Sequence, residues 1–358
     1  MLYCVGLGLG SPDDITLRGF KAIQSCSRVY LEAYTSILID VGFQSNTVTS
    51  GQEGSGIEQL EKLYGTSIRI ADRDMVENDS DAILTGADKE DVAFLVVGDP
   101  FGATTHADLL LRAVDLSIPY TVIHNASILN AVGACGLALY NFGQTVSIPF
   151  FTDSWRPSSW LGRIEENSKL GLHTLCLLDI KVKEQNEVNL ARGRKIYDAP
   201  RYMSPANAIS QLLSLLPSDM ASSIVPSETL AFTLSRVGSA TQKILAGSLE
   251  ELAALPEEDY GSPLHSIAIV GKRLHPVERD FATQYSINKK SWLAGCKRLL
   301  LILPTLFYLS LHGPALPEND SIALSRVFDI GDEVGGGTIM QKMTNETAKV
   351  GESKLESK

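Results

Sequence analysis

Across the first 124 residues short apolar runs alternate with amphipathic patterns, and that alternation leaves few folds open to the chain. The runs are Leu2–Leu7, Arg28–Glu32, Ser67–Ala71, Val92–Val97 and Tyr120–His124; helical patterns lie between them near Ile57–Tyr64, Asp74–Leu84 and Thr105–Leu116. After the first run, Ser11-Pro12-Asp13-Asp14 offers a capping hydroxyl, a proline suited to the first helical position and acids for the first turn. A helix is predicted there with Leu17, Phe20 and Ile23 on one face. Strand–helix alternation of this kind predicts an α/β domain built on a mostly parallel sheet.

Ser127 opens a further predicted helix, ILNAVGACGLAL, whose small residues suit close packing. The rhythm breaks at Asn141–Pro157, which places a domain junction there; the 358 residues are enough for two domains. The second half shows strands at Leu172–Ile180, Thr229–Arg236 and His265–Val270, a helix near Pro205–Leu215 and longer loops, so a mixed sheet is expected. The organisation read from the sequence is an N-terminal α/β domain over 1–145, a C-terminal α/β domain over 146–294 and an atypical, disordered extension over 295–358. Val41–Ser55 is polar and rich in Gly and Ser, a flexible insertion by composition. The insertion and everything after about Trp292 are expected to be dispensable.

Composition excludes several classes. A net charge of −11 carries no basic footprint for nucleic acid. The longest apolar run, Leu299–Leu311, is interrupted by Pro304 and falls short of the roughly 20 residues that span a bilayer. The N-terminal MLYCVGLGLG lacks the basic and long apolar regions of a signal peptide, so a cytoplasmic protein with no membrane partner is expected. Five scattered cysteines, never spaced as CxxC, argue for buried thiols rather than disulfides or zinc. No nucleophile elbow, HExxH, P-loop or kinase set occurs, and no metal site is expected.

Three strand ends remain, two of them lined by glycine. GLGLG at residues 6–10 is either a tight strand-to-helix turn or a loop that a ligand approaches; its spacing is not G-x-G-x-x-G, and only Glu32 could serve as the acid of a dinucleotide site. Gly98-Asp99-Pro100-Phe101-Gly102 ends an apolar strand where open α/β sheets bind ligands, with Asp99 either facing a ligand or capping its own turn. His124-Asn125-Ala126-Ser127-Ile128 repeats the arrangement, and Ser127 is suited both to capping and to a ligand. His265, just inside a strand, is either a core histidine or a site residue. A two-domain α/β chain with such loops and no nucleophile of its own fits group transfer in which cofactor and substrate supply the reacting atoms.

The blocks MLYCVGLGLG, SRVYLEAYTS, VAFLVVGDPFGATTHADLLLRA, IPYTVIHNASILNAVG, TLCLLDIKVKEQ and PRYMS, in that order, resemble the diphthine synthases. These belong to the tetrapyrrole-methylase superfamily of S-adenosylmethionine-dependent methyltransferases. The resemblance covers about residues 1–40 and 57–294. It implies a two-domain tetrapyrrole-methylase-like fold, with a mostly parallel sheet in the first domain, a mixed one in the second and the cofactor cleft between them, in a homodimer. It implies S-adenosylmethionine contacts at Leu9, Asp99, Gly102, Ser127, Ile128, Leu178, Val237 and His265, with Gly102 leaving room that a branched side chain would fill. The implied substrate is elongation factor 2, at a histidine carrying a 3-amino-3-carboxypropyl group. The amino nitrogen is methylated to the trimethyl stage and the carboxylate then esterified, since SRVYLEAYTS and CLLDIKVKEQ resemble the eukaryotic branch. The resemblance identifies no catalytic residue or proton acceptor. The alternatives are a methyltransferase acting on carbon of a tetrapyrrole such as uroporphyrinogen or precorrin, and a catalytically silent cofactor-binding module.

Overall fold

The computed structural model describes residues 1–32, 34, 56–182, 198–217 and 222–299. The expected insertion at 41–55 lies outside these residues, as does the part of the expected extension beyond residue 299. The first sheet comprises β1 (Leu2–Gly6), β2 (Arg28–Glu32), β3 (Ile68–Ala71), β4 (Val92–Val96) and β5 (Tyr120–Ile123), in the order β3-β2-β4-β1-β5. Every described pairing in it is parallel, with Leu2 opposite Val92 and Gly6 opposite Val96 in the central pair. All five β4 residues are buried because both faces of the sheet are covered. Val92, Phe94 and Val96 pack with Leu109, Leu110 and Ala113 on one face. Ala93, Leu95 and Val97 pack with Ile23, Leu60 and Tyr64 on the other.

Local structure departs from the sequence reading at three places. Ser11–Asp14 forms a separate 3₁₀ turn, in which the Asp14 carboxylate accepts from the Gly10 and Ser11 amides at 2.9 Å. The helix proper is Leu17–Ser25, capped by the Thr16 hydroxyl, which accepts from Gly19 N at 3.0 Å. That later start puts Leu17 in the first turn, 68% exposed, and the buried face is Gly19, Ala22 and Ile23. The pattern at 74–84 is two short helices, Arg73–Glu77 and Asp81–Leu84, because Asn78-Asp79-Ser80 turns the chain between them. The helix after Ser127 lasts one turn, Ile128–Ala131, then tightens to 3₁₀ and stops at Gly136 with φ +95°.

The second sheet contains β6 (Val146–Ile148), β7 (Thr174–Leu178), β10 (Leu230–Ser235), β11 (Lys243–Ser248) and β12 (His265–Ile269), in the order β11-β10-β12-β7-β6. β6 and β7 pair in parallel and the other neighbours antiparallel, which is the mixed sheet expected. Two short strands, β8 (Ile180–Lys181) and β9 (Arg201–Tyr202), pair beside it. Sequence patterning missed β6 and the edge strand β11, along with the helix Ser159–Leu170. All five cysteines are buried free thiols. Among the described residues no helix is long and apolar enough to cross a membrane.

The C-terminal boundary needs correction. Residues 289–299 form one helix that runs past the expected domain end at 294. Trp292 and Cys296 are fully buried, Trp292 lies edge-on to Phe232 at 5.2 Å between ring centroids, and Leu299 packs on the same core. A chain ending at residue 292 should therefore melt well below one ending at 299. The lost burial of Cys296 and Leu299 is expected to cost about 2–4 kcal/mol, at about 1.5–3 kcal/mol for a fully buried leucine-sized side chain. Equal melting temperatures for the two truncations would show that these last two turns add nothing.

Candidate functional site

The carboxyl ends of β1 and β4 open towards the ends of β7, β10 and β12, and a cavity of about 540 Å³ lies there. That volume is within the usual range for small-molecule sites. Its floor is made where the loops after β1 and β4 exchange hydrogen bonds, Gly98 N to Gly8 O at 2.7 Å and Gly8 N to Gly98 O at 3.2 Å. Beyond that bridge the two halves of the chain touch. A Cβ on Gly10 would lie 2.5 Å from Gly238 O, so glycine there permits the close approach that puts Leu9 and Val237 on one cavity wall. On the opposite wall Gly102 packs against Ser127, where an added Cβ would lie 2.6 Å from the Ser127 Cβ.

Seven of the eight positions singled out by resemblance line this cavity: Leu9, Gly102, Ser127, Ile128, Leu178, Val237 and His265. Ser127 is also a helix cap, its hydroxyl accepting from Leu129 N and its own amide donating to Asn130 Oδ1 at 2.8 Å. His265 begins β12 and its Nε2 donates to Gly261 O at 2.9 Å. Burial holds the His265 pKa below the ordinary value against the opposing pull of the Gly261 and Met203 carbonyls, so the ring is neutral at physiological pH.

Asp99 is placed differently. Its carboxylate is turned onto the protein's own loops, with Oδ1 accepting from Phe101 N at 2.9 Å and Oδ2 from Asn125 N at 3.0 Å and paired with His124 Nδ1 at 2.9 Å. Partial burial works to raise its pKa, but the Phe101 and Asn125 amides and the His124 ring outweigh it and hold the carboxyl below its ordinary value. The acid at the end of β4 thus ties the loop 99–102 to the loop 124–127, and both carry cavity residues. Asp99→Ala should loosen both loops. Calorimetry with S-adenosylhomocysteine is expected to show affinity reduced by about 1.5–3 kcal/mol, the value of one charge-assisted hydrogen bond. Unchanged affinity in folded protein would mean the loops hold their positions without it.

The cavity also gathers residues that sequence reasoning did not select: Tyr34, Arg73, Asp179 and Arg236. Asp179 carries the signal that drew attention to Asp99, an acid directly after an apolar strand, here TLCLL. Arg73 has no local signal, since its place in the lining depends on where the helix Arg73–Glu77 meets the cavity. Below the loop, burial pushes His106 down to about 4, against the Pro100 carbonyl, so it too is neutral. No metal-binding group of His, Cys, Asp and Glu occurs among the described residues. Aliphatic walls, a few hydroxyls and three charged side chains suit an amphipathic organic ligand.

Comparison with known proteins gives this geometry a chemistry. Residues 1–253 match the family Tetrapyrrole (Corrin/Porphyrin) Methylases. A protein of Saccharomyces cerevisiae named diphthine methyl ester synthase is 53% identical over 292 residues, covering 82% of this chain and 91% of that protein. Its human namesake is 53% identical over 294 residues, covering 81% of this chain and 97% of that protein. A solved structure assigned as a diphthine synthase of Entamoeba histolytica superposes with a TM-score of 0.66 at 38% identity, over 80% of this chain and 99% of that one. A crystal structure of a diphthine synthase gives 0.65 at 26% identity, over 83% and 99%. With this fold and these relatives, the chain is a methyltransferase of the tetrapyrrole methylase family and belongs to its diphthine methyl ester synthases.

Proposed function

We propose that this methyltransferase uses S-adenosylmethionine and acts on elongation factor 2, at a histidine already carrying a 3-amino-3-carboxypropyl group. It methylates the amino nitrogen to the trimethyl stage and then the carboxylate as its methyl ester, a step in diphthamide biosynthesis. We read it as a cytoplasmic homodimer, with residues 1–145 and 146–299 as the two domains of each subunit. The observation that carries this reading is that seven positions from six separate chain segments, chosen by resemblance to cofactor-binding positions, line one cavity of suitable size.

The residues present fit such a cofactor. Leu9, Ile128, Leu178 and Val237 offer apolar surface for a nucleoside, and the Gly102–Ser127 contact keeps the loop backbone close to it. When bound, the cofactor supplies a methyl group activated on a positively charged sulfur. The chain has to exclude water and align the nucleophile with that methyl, and positioning of this kind contributes about 7–11 kcal/mol. A polyanionic tetrapyrrole would require several cations, whereas the described lining holds Arg73 and Arg236 beside the carboxylate of Asp179.

The test is mass spectrometry of elongation factor 2 from cells lacking this protein, with and without the chain restored. Return of four methyl groups is the expected result. Label passing from the cofactor to a porphyrinogen and not to the elongation factor would overturn it. A folded protein that binds no S-adenosylhomocysteine in calorimetry would be the silent module instead.

A further inference from the structure

Asp179 sits immediately after β7, fixed on both sides. Its amide donates to Ile148 O at 3.2 Å, its carbonyl accepts from Met203 N at 3.0 Å, and its Oδ2 accepts from Phe150 N at 3.0 Å. Oδ1 receives no hydrogen bond from a described residue, and Asp179 is the one carboxylate among the described residues lining the cavity. The same lining contains Arg73, whose guanidinium carbon lies 5.3 Å from the centre of the Tyr34 ring, stacked over its face. Its Nε lies 3.8 Å from Glu77 Oε1, an exposed contact one helical turn away that holds it weakly. Arg236, the other cation, is engaged with the Pro263 carbonyl. Among the described lining residues the cavity therefore presents an open carboxylate oxygen and a stacked guanidinium whose edge is available.

Neither charge belongs to the cofactor positions discussed above. Resting on the function proposed here, we infer that Asp179 receives the ammonium of the substrate's aminocarboxypropyl side chain and that Arg73 supplies the cation for its carboxylate. A zwitterion is costly to bring out of water unless both of its charges are met, and an acid and a cation lining one cavity offer a partner for each. Asp179 also gives the ammonium proton a route. Attack needs a neutral amine, so the proton passes to Asp179 Oδ1 and on to water. The amine lone pair then forms the N–C bond as the S–C bond breaks, leaving an alkylated ammonium and a neutral thioether. One proton leaves for each of the three methyl groups added to nitrogen, and esterification of the carboxylate releases none.

The cofactor's own methionyl end carries the same ammonium and carboxylate, so the experiment must separate the two. Wild type, Asp179→Asn and Asp179→Ala are compared in three measurements. These are S-adenosylhomocysteine affinity, melting temperature and kcat/KM on elongation factor 2 bearing the aminocarboxypropyl group. Asparagine keeps an acceptor for Phe150 N, so its melting temperature and cofactor affinity should match wild type. Its kcat/KM should fall about 10- to 100-fold, the loss expected when a charge-assisted hydrogen bond goes. The residual rate should climb with pH as the substrate amine loses its proton in solution. Transfer by Asp179→Asn at the wild-type rate, with only the alanine variant impaired, would reduce Asp179 to a brace for residue 150 and overturn the inference. A drop in cofactor affinity matching the drop in transfer would overturn it too, by giving Asp179 to the cofactor. Failure of the wild type itself to methylate the factor would instead remove the functional reading on which this rests.

Discussion

Replacing Glu278 with alanine is expected to cost the fold about 3–5 kcal/mol, the usual effect of deleting one partner of a buried charged network. Glu278 and His173 are 3% and 0% exposed. Glu278 Oε1 accepts from Ala138 N at 2.7 Å and from His173 Nε2 at 3.2 Å, and Oε2 accepts from His275 N at 2.6 Å. The Gly271 amide donates to His173 Nδ1 at 2.9 Å, so the ring proton sits on Nε2 and points at the carboxylate. One side chain thus braces the loop before residue 138, the start of β7, the segment after β12 and the helix Pro276–Ala282. Alanine would leave these donors buried without an acceptor. Burial works to raise the Glu278 pKa, but the His173 ring and the Ala138 and His275 amides hold it below the ordinary value. A depressed carboxyl stabilises the fold above its unfolded pKa, and that contribution is lost as pH falls through the folded value. The melting-temperature gap between wild type and Glu278→Ala should therefore be full at pH 7 and narrow below about pH 4, near the unfolded Glu value. A gap independent of pH would show that packing, not the carboxylate, is what alanine removes.

Gly102→Val should be the more damaging change for function. The first added atom would lie 2.6 Å from the Ser127 Cβ, 2.7 Å from its hydroxyl and 3.3 Å from the Asp99 Cβ. The clash thus begins against the neighbouring loop rather than in the ligand's volume, and it forces apart the two loops that Asp99 ties together. Overpacking of this kind typically costs about 1–3 kcal/mol. Because both displaced loops line the cavity, most of that should appear as weaker cofactor binding, about 10- to 100-fold at about 1.4 kcal/mol per factor of ten. Calorimetry with S-adenosylhomocysteine on folded variant protein reads the effect directly. Wild-type affinity would mean that the 99–102 loop moves freely without disturbing the site.

Sequence patterning located β2 to the residue and the helix Pro205–Leu215 at both ends. The apolar pattern of the helix is bounded by unmistakable signals, Ser204 and Pro205 at its start and Pro217 just past its end. It failed where the signal was short or local rules competed. Val146–Ile148 has three residues, too few to show a period. Lys243–Ser248 is an edge strand whose place comes from antiparallel pairing with β10. The capping signal at Ser11 opens only a 3₁₀ turn, and Thr16 caps the helix five residues later, which leaves Leu17 exposed in the first turn.

The site divides along the same line. Glycines after apolar strands, the acid at position 99 and the small residues around Ser127 are all readable in one dimension, because each reflects what the backbone must do within a few residues. The sequence by itself therefore determined the strand-and-loop grammar of an α/β methyltransferase, and its motif blocks marked the loops that matter. Only the tertiary structure decided which loops meet. Asp99 finds two of its three partners 25 and 26 residues away, Gly10 meets Gly238, and Asp179 enters the same cavity as Arg73. Those meetings follow from the strand orders β3-β2-β4-β1-β5 and β11-β10-β12-β7-β6. Strand order is set by the burial of whole sheet faces, a sum over distant residues that no local pattern records.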